Sequence, residues 1–293
     1  MEYAIQTRGL TKRYGKRCAL SGVDLNVLKG AIYGLIGRNG AGKTTLMKLI
    51  TTLLLPTKGT VSVKQGSRIG ALIEEPALYP ACTVRDNLIY KAIAMGLPHT
   101  EADRLIELVE LQNAAQKKAK QLSLGMKQRL GIALALMGDP DILLLDEPIN
   151  GMDPQGIAFV RTMLKTLHEQ KGTTILLSSH VLDEMGKLAT CVGIIGEGHL
   201  TEEMSMEELN ERSRPTLFIR SPELERIVPL LKDRLGVSAQ AEQGGLIIRE
   251  GAEQHESVSR LLFDERIYVQ EFAIKKPTLE EYFIAHTGGN GIA

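Results

Sequence analysis

Gly37-Arg38-Asn39-Gly40-Ala41-Gly42-Lys43-Thr44 fills every defined place of the pattern G-x-x-x-x-G-K-[ST]. Before it, Ala31-Ile32-Tyr33-Gly34-Leu35-Ile36 is an apolar run of strand length. After it, Thr45-Leu46-Met47-Lys48-Leu49-Ile50 carries apolar residues at helical spacing. The stretch therefore reads as a loop between a strand and a helix. Its glycines let backbone N–H groups turn toward an anion, and the helix directs its positive end, worth roughly half a charge, at the same point. In such a loop Lys43 reaches the β- and γ-phosphates and the Thr44 hydroxyl ligates Mg²⁺. The implication is a nucleoside triphosphate site, with Gly37, Arg38, Asn39, Gly40, Ala41, Gly42, Lys43, Thr44 and Thr45 around the phosphates.

Outward from the loop, strand-like apolar runs alternate with helical patterns over the first two thirds of the chain, which predicts an α/β domain with a largely parallel sheet. Asp141-Ile142-Leu143-Leu144-Leu145-Asp146-Glu147-Pro148 is the clearest run. Its four consecutive apolar residues suggest a strand buried on both faces, delivering Asp146 and Glu147 to the carboxyl end, where ligands sit in open α/β sheets. Asp146 is placed as a second holder of Mg²⁺ and Glu147 to polarise a water. An acid pair ahead of Pro148 could otherwise be a solvated turn.

Composition narrows the setting. With 293 residues the chain has room for one large domain and a small one. Lys+Arg and Asp+Glu stand at 35 each, so no overall basic field argues for nucleic acid. Cys18, Cys82 and Cys191 lie far apart, which reads as a reduced compartment and no cysteine metal site. No run approaches 18 apolar residues, and Met1-Glu2-Tyr3-Ala4 lacks the charged start and apolar core of a secretion signal. The expectation is a chain on the cytosolic side that does not itself span a membrane.

Between the two sites lies Gln121-Leu122-Ser123-Leu124-Gly125-Met126-Lys127-Gln128-Arg129-Leu130, followed by an apolar helical run. Here the sequence resembles the ATP-binding cassette (ABC) family. The likeness covers roughly residues 1–210 and rests on ordered motifs: the phosphate loop, a signature at 122–126, the strand ending at Asp146-Glu147, Asn150-Gly151-Met152-Asp153-Pro154, and His180 in Ser178-Ser179-His180. It implies a phosphate-loop cassette with a helical signature subdomain. Two copies would pair head to tail around two ATP molecules, each held between one copy's phosphate loop and the other's signature, so that Ser123, Gly125 and Asp153 contact nucleotide. It also implies His180 near the γ-phosphate and Tyr14 stacked on adenine, although Tyr14 could instead close a small strand pair. Catalytic roles fall to Glu147, His180 and Lys43.

Two departures carry information. The usual signature is L-S-G-G-Q, whereas Leu124 replaces the first glycine and Met126 the glutamine. A Cβ at residue 124 means either that no positive φ is needed there or that the cradle is altered. In Ile73-Glu74-Glu75-Pro76, Glu74 takes the place of the family's glutamine and is expected as a third Mg²⁺ ligand with Thr44 and Asp146, the alternative being that it faces solvent. Together these features resemble the bacitracin-resistance and lantibiotic self-protection branch. That likeness implies an ATPase motor for a separate membrane permease at the cytoplasmic face of the membrane. In the family, the region of residues 83–96 forms the groove for the permease, with Ile89, Ile93 and Leu97 individually better read as core.

From residue 211 to 293 the pattern changes. Strands at 216–220, 237–241, 246–249 and 267–273 and helices at 222–235 and 253–263 give the order βαββαβ, a small α+β, ferredoxin-like domain that is either accessory or a stabilising extension. Pro277-Thr278-Leu279-Glu280-Glu281-Tyr282-Phe283 opens a last helix resembling a tail of exporter cassettes. Two other function classes have less support. A soluble cassette of the translation or repair kind would resemble a tandem or coiled-coil-split chain, and a GTPase would carry N-K-x-D, which is absent.

Overall fold

The computed structural model describes residues 2–179, 182–212, 215–242 and 244–275. They form two compact units, divided between residues 206 and 207. In chain order the first contains β1 (Tyr3–Tyr14), β2 (Arg17–Val23), β3 (Asn26–Leu28), β4 (Ile32–Ile36), α1 (Lys43–Ile50), β5 (Lys58–Val63) and β6 (Ile69–Leu72). Then come α2 (Val84–Ala94), α3 (Thr100–Leu108), α4 (Leu124–Leu136), β7 (Ile142–Asp146), α5 (Pro154–Lys171), β8 (Thr174–Ser179), α6 (Leu182–Leu188), β9 (Cys191–Gly196) and β10 (His199–Ser205). Helix α7 (Met206–Arg212) begins at the boundary.

Six strands form one sheet in the order β10-β9-β4-β8-β7-β6, parallel except for the edge strand β10. Every residue of β4, β7 and β8 is buried, which is why these strands read as unbroken apolar runs in place of alternating ones. Their register sets Ile36 opposite Ser179 and Asp146 opposite Ser178. The carboxyl ends of three neighbouring strands thus open on the same edge. Strand β1 organises a second, antiparallel sheet by pairing with β2, β3 and β5. Leu10, Leu20, Leu35, Met47, Leu144 and Leu176 belong to a single buried cluster.

Helix α2 starts at a reciprocal cap in which Thr83 Oγ1 accepts the Asp86 N–H and Asp86 accepts the Thr83 N–H. Its inner face is Val84, Leu88 and Ala92, spaced by four residues and fully buried. Ile93, read from sequence as core, is instead 55% exposed. It stands one residue, about 100°, round the helix from Ala92. Ile89 and Leu97 are half-buried.

The second unit contains β11 (Thr216–Arg220), α8 (Leu224–Leu235), β12 (Gln240–Glu242), β13 (Gly245–Ile248), α9 (His255–Asp264) and β14 (Glu271–Lys275). The sheet order is β12-β13-β11-β14 with every neighbour antiparallel, the split βαβ arrangement. Leu217 and Ile219 alternate inward to meet Ile227, Leu231, Val258 and Leu262 from the two helices. Two strands begin later than their apolar runs suggest. Val237 and Ile267 are buried in the core but lie in connecting segments, and pairing starts only at Gln240 and Glu271. The tail motif at 277–283 lies outside the described residues, as does His180. Among the described residues no helix is long and apolar enough to cross a membrane.

Candidate nucleotide site

The phosphate loop is shaped by close approach. Gly42 has φ +112°, and a Cβ there would stand 2.6 Å from Leu20 Cδ2 and 2.8 Å from the Ala19 carbonyl. A Cβ on Gly37 would stand 2.5 Å from the Ile195 carbonyl. Neither position admits a side chain, so the packing of the loop against residues 19, 20 and 195 requires glycine at both. Helix α1 follows with Gly42 at its N-cap, where no side chain caps the first N–H groups. An anion fits that terminus.

Around it lies a cavity of about 340 Å³, lined among others by Tyr14, Arg38, Lys43, Thr44, Asp146 and Glu147. Asn39, Gly40, Gly42 and Thr45 also line it, whereas Gly37 and Ala41 do not. Ala41 turns its carbonyl to the Gly198 N–H at 3.0 Å. The buried Lys43 ammonium donates to the Gly37 carbonyl at 2.6 Å and stands 3.2 Å from Glu147 Oε1. Thr44 Oγ1 donates to Asp146 Oδ2 at 2.6 Å. This is a convergent pair of hard oxygens, the donor type Mg²⁺ takes. Ser178 Oγ donates to Asp146 Oδ1 at 2.6 Å and accepts the Glu147 N–H at 2.9 Å. Glu147 itself has φ +49°, in the left-handed region.

Tyr14 is 48% exposed at the rim, and Lys12 Nζ, held at 2.7 Å by the Leu55 carbonyl, lies 5.3 Å from its ring centroid. Arg17, which the sequence reading did not single out, joins it in the cavity lining. The signal was available: the two-residue turn Gly15-Lys16 sets Arg17 directly opposite Tyr14.

Ser123, Gly125 and Asp153 do not line this cavity. Ser123 is the N-cap of α4, its hydroxyl accepting the Met126 N–H at 3.3 Å. Asp153 caps α5 by accepting the Gly156 N–H at 3.0 Å. Leu124 is the first residue of α4 and has no positive φ, so its Cβ brings no left-handed backbone strain. Its half-exposed side chain packs on Gly151, where a Cβ would collide with it.

Glu74, expected from the sequence as a metal ligand, has a cationic partner on α1. Its carboxylate takes Lys48 Nζ at 2.7 Å, with 60% of the side chain exposed and φ at +61°. Lys48 stands one helical turn beyond Thr44 on α1. An exposed ion pair contributes at most about 1 kcal/mol. Glu74→Gln is therefore expected to leave the Mg²⁺ concentration for half-maximal ATPase within about twofold of wild type. A metal titration of both proteins checks this, and a shift beyond about fivefold would return Glu74 to the metal.

A second cavity, of about 450 Å³, runs beside α2 and is lined by Leu53, Tyr79, Tyr90 and Lys91 among others. Tyr79 and Tyr90 meet edge to face with centroids 5.8 Å apart, and both are exposed. Burial holds the Lys91 ammonium below its ordinary pKa. The groove presents apolar and aromatic surface.

Residues 20–150 match the family model described as "ABC transporter". The chain is similar to the bacitracin transport ATP-binding protein BcrA of Enterococcus faecalis, with 38% identity covering 100% of this chain and 99% of that protein. It is 41% identical to the lantibiotic transport ATP-binding protein SrtF of Streptococcus pyogenes over 67% of this chain and 88% of that one. Among solved structures, the dimeric MJ0796, a bacterial ABC transporter cassette, superposes with a TM-score of 0.65 at 26% identity, covering 69% of this chain and 98% of that one.

Proposed function

The chain belongs to the ABC transporter family as an ATP-binding, ATP-hydrolysing subunit, and we propose that it drives export of a peptide antibiotic of the bacitracin or lantibiotic kind through a separate membrane permease. The observation that carries the motor reading is the convergence of Lys43, Thr44, Asp146 and Glu147 on one cavity beside an uncapped helix N-terminus. The cargo reading is supported by likeness along the whole chain to a bacitracin transport protein.

In this reading Tyr14 stacks on adenine and the loop N–H groups of residues 39, 40 and 42–45 cradle the phosphates. Lys43 leaves the Gly37 carbonyl for phosphate oxygens, which are the stronger acceptors. Thr44 and Asp146 would hold Mg²⁺, which would supply charge neutralisation for the phosphates. Glu147 accepts a proton from the attacking water. His180, next in sequence after β8, contacts the γ-phosphate. Ser123 at the mouth of α4, Gly125 and Asp153 act on the nucleotide of a second copy paired head to tail, which accounts for their distance from their own chain's cavity. The groove by α2 receives the permease at the cytoplasmic face of the membrane, and nucleic acid is no partner.

Two experiments test this. Cells that make the chain naturally, once deprived of it, should become sensitive to bacitracin or to a lantibiotic, and wild type but not Glu147→Gln should restore survival. Unchanged sensitivity across both classes would remove the cargo. Separately, Tyr90→Asp places a charge in the groove without touching the nucleotide cavity. The isolated chain's ATPase should stay within about twofold, since surface changes away from the core are usually worth less than about 0.5 kcal/mol. Copurification of the permease should be lost. Equal loss of ATPase and copurification would mean that the groove is structural.

A further inference from the structure

Ser178 lies outside the residues assigned to ATP above, yet it touches both acids of the site. It is completely buried in the last turn of pairing between β7 and β8, directly opposite Asp146. Its hydroxyl has one proton to donate and lone pairs to accept with. The proton goes to Asp146 Oδ1 at 2.6 Å, and the Glu147 N–H is accepted at 2.9 Å. Asp146 is left with Oδ2 for Thr44. One oxygen thus orients the metal-side carboxylate and anchors the peptide that carries the water-side carboxylate.

That anchor matters because of the backbone at Glu147. With φ +49° it sits in a region that residues other than glycine rarely adopt, so the chain must be held there by its surroundings. On the other side of the residue, its carbonyl accepts the Asn150 N–H at 3.1 Å, and Gln128 Nε2 from α4 approaches at 3.4 Å. The Glu147 peptide is therefore gripped at both ends, and the N–H end depends on Ser178.

We propose that Ser178 is a positioning residue for ATP hydrolysis, holding Asp146 and Glu147 in one relative geometry so that the Glu147 carboxylate stands where the attacking water must be. The inference rests on the reading of Glu147 as the base. Misplacing a reacting group by about 1 Å costs on the order of 10²-fold in rate.

The decisive variant is Ser178→Cys, which keeps a small side chain at a buried position but replaces the hydroxyl with a weak donor and acceptor. Expected for the full chain are a kcat lowered about 10- to 100-fold, a KM for MgATP within about threefold, and a thermal midpoint close to wild type. Because ATP would be bound but slowly consumed, an ATP-dependent dimer should accumulate on gel filtration, as for Glu147→Gln, and Ser178→Thr should recover most of the turnover. A folded Ser178→Cys with wild-type kcat and no trapped dimer would overturn the proposal. So would a matched loss of ATP binding and turnover, which would make Ser178 a general structural residue. If Glu147→Gln itself hydrolyses ATP normally, the failure belongs to the assignment of the base.

Discussion

Glu147→Gln is expected to keep ATP affinity within a few fold while turnover falls by roughly 10²–10⁴, the range for a lost general base. The substitution retains shape and removes the charge that accepts the proton. It also removes one side of the Lys43–Glu147 contact at 3.2 Å, so Lys43 is freer to engage phosphate and binding should tighten if it changes at all. ATP held without hydrolysis should trap the head-to-tail pair, visible as an ATP-dependent dimer by light scattering. A variant that stays monomeric at saturating ATP, or that turns over at the wild-type rate, would contradict the assignment of Glu147 and the sandwich together.

Lys43→Ala should instead abolish measurable ATP binding. A buried ammonium with two or more charge-assisted hydrogen bonds to phosphate contributes about 3–5 kcal/mol, equivalent to about 150- to 5,000-fold in affinity. Equilibrium binding of a fluorescent ATP analogue reads this directly. A second consequence follows from the burial. With Lys43 gone, the largely buried Glu147 carboxylate loses the ammonium at 3.2 Å, so the thermal midpoint should fall as well. Lys43→Met, which refills the volume, should bind no better than Lys43→Ala, because the missing element is charge. If ATP binding survives in either variant, the ammonium is not the phosphate contact. The contrast between the two positions is diagnostic: one variant retains nucleotide and the other never acquires it.

The α/β architecture, the buried strand before Asp146 and the loop before α1 were legible because each depends on a short stretch of chain. Continuous apolar runs mark central parallel strands, and glycines beside Lys43 mark a backbone that must turn toward an anion. The βαββαβ order of the second unit was legible for the same reason, while its strand starts were not. Val237 and Ile267 are apolar because they are buried, and burial alone does not say whether a residue is also paired. Ile93 erred in the opposite sense, as an apolar residue displaced from a buried stripe already complete with Val84, Leu88 and Ala92.

By itself, then, the sequence determined the strand-loop-helix around residues 37–44, the acid pair at the end of β7, and the family to which these belong. Tertiary structure alone decided what those groups touch. It placed Ser178 against both acids through the register of β8 on β7, and it paired Glu74 with Lys48. It seated Leu124 on Gly151, and made caps of Ser123 and Asp153 that stand away from their own chain's cavity. The physical reason is one of range. Propensity, periodicity and loop chemistry act within a few residues of sequence, whereas hydrogen bonds such as Thr44 to Asp146 join residues about a hundred positions apart, and their partners exist only once the sheet has set its register.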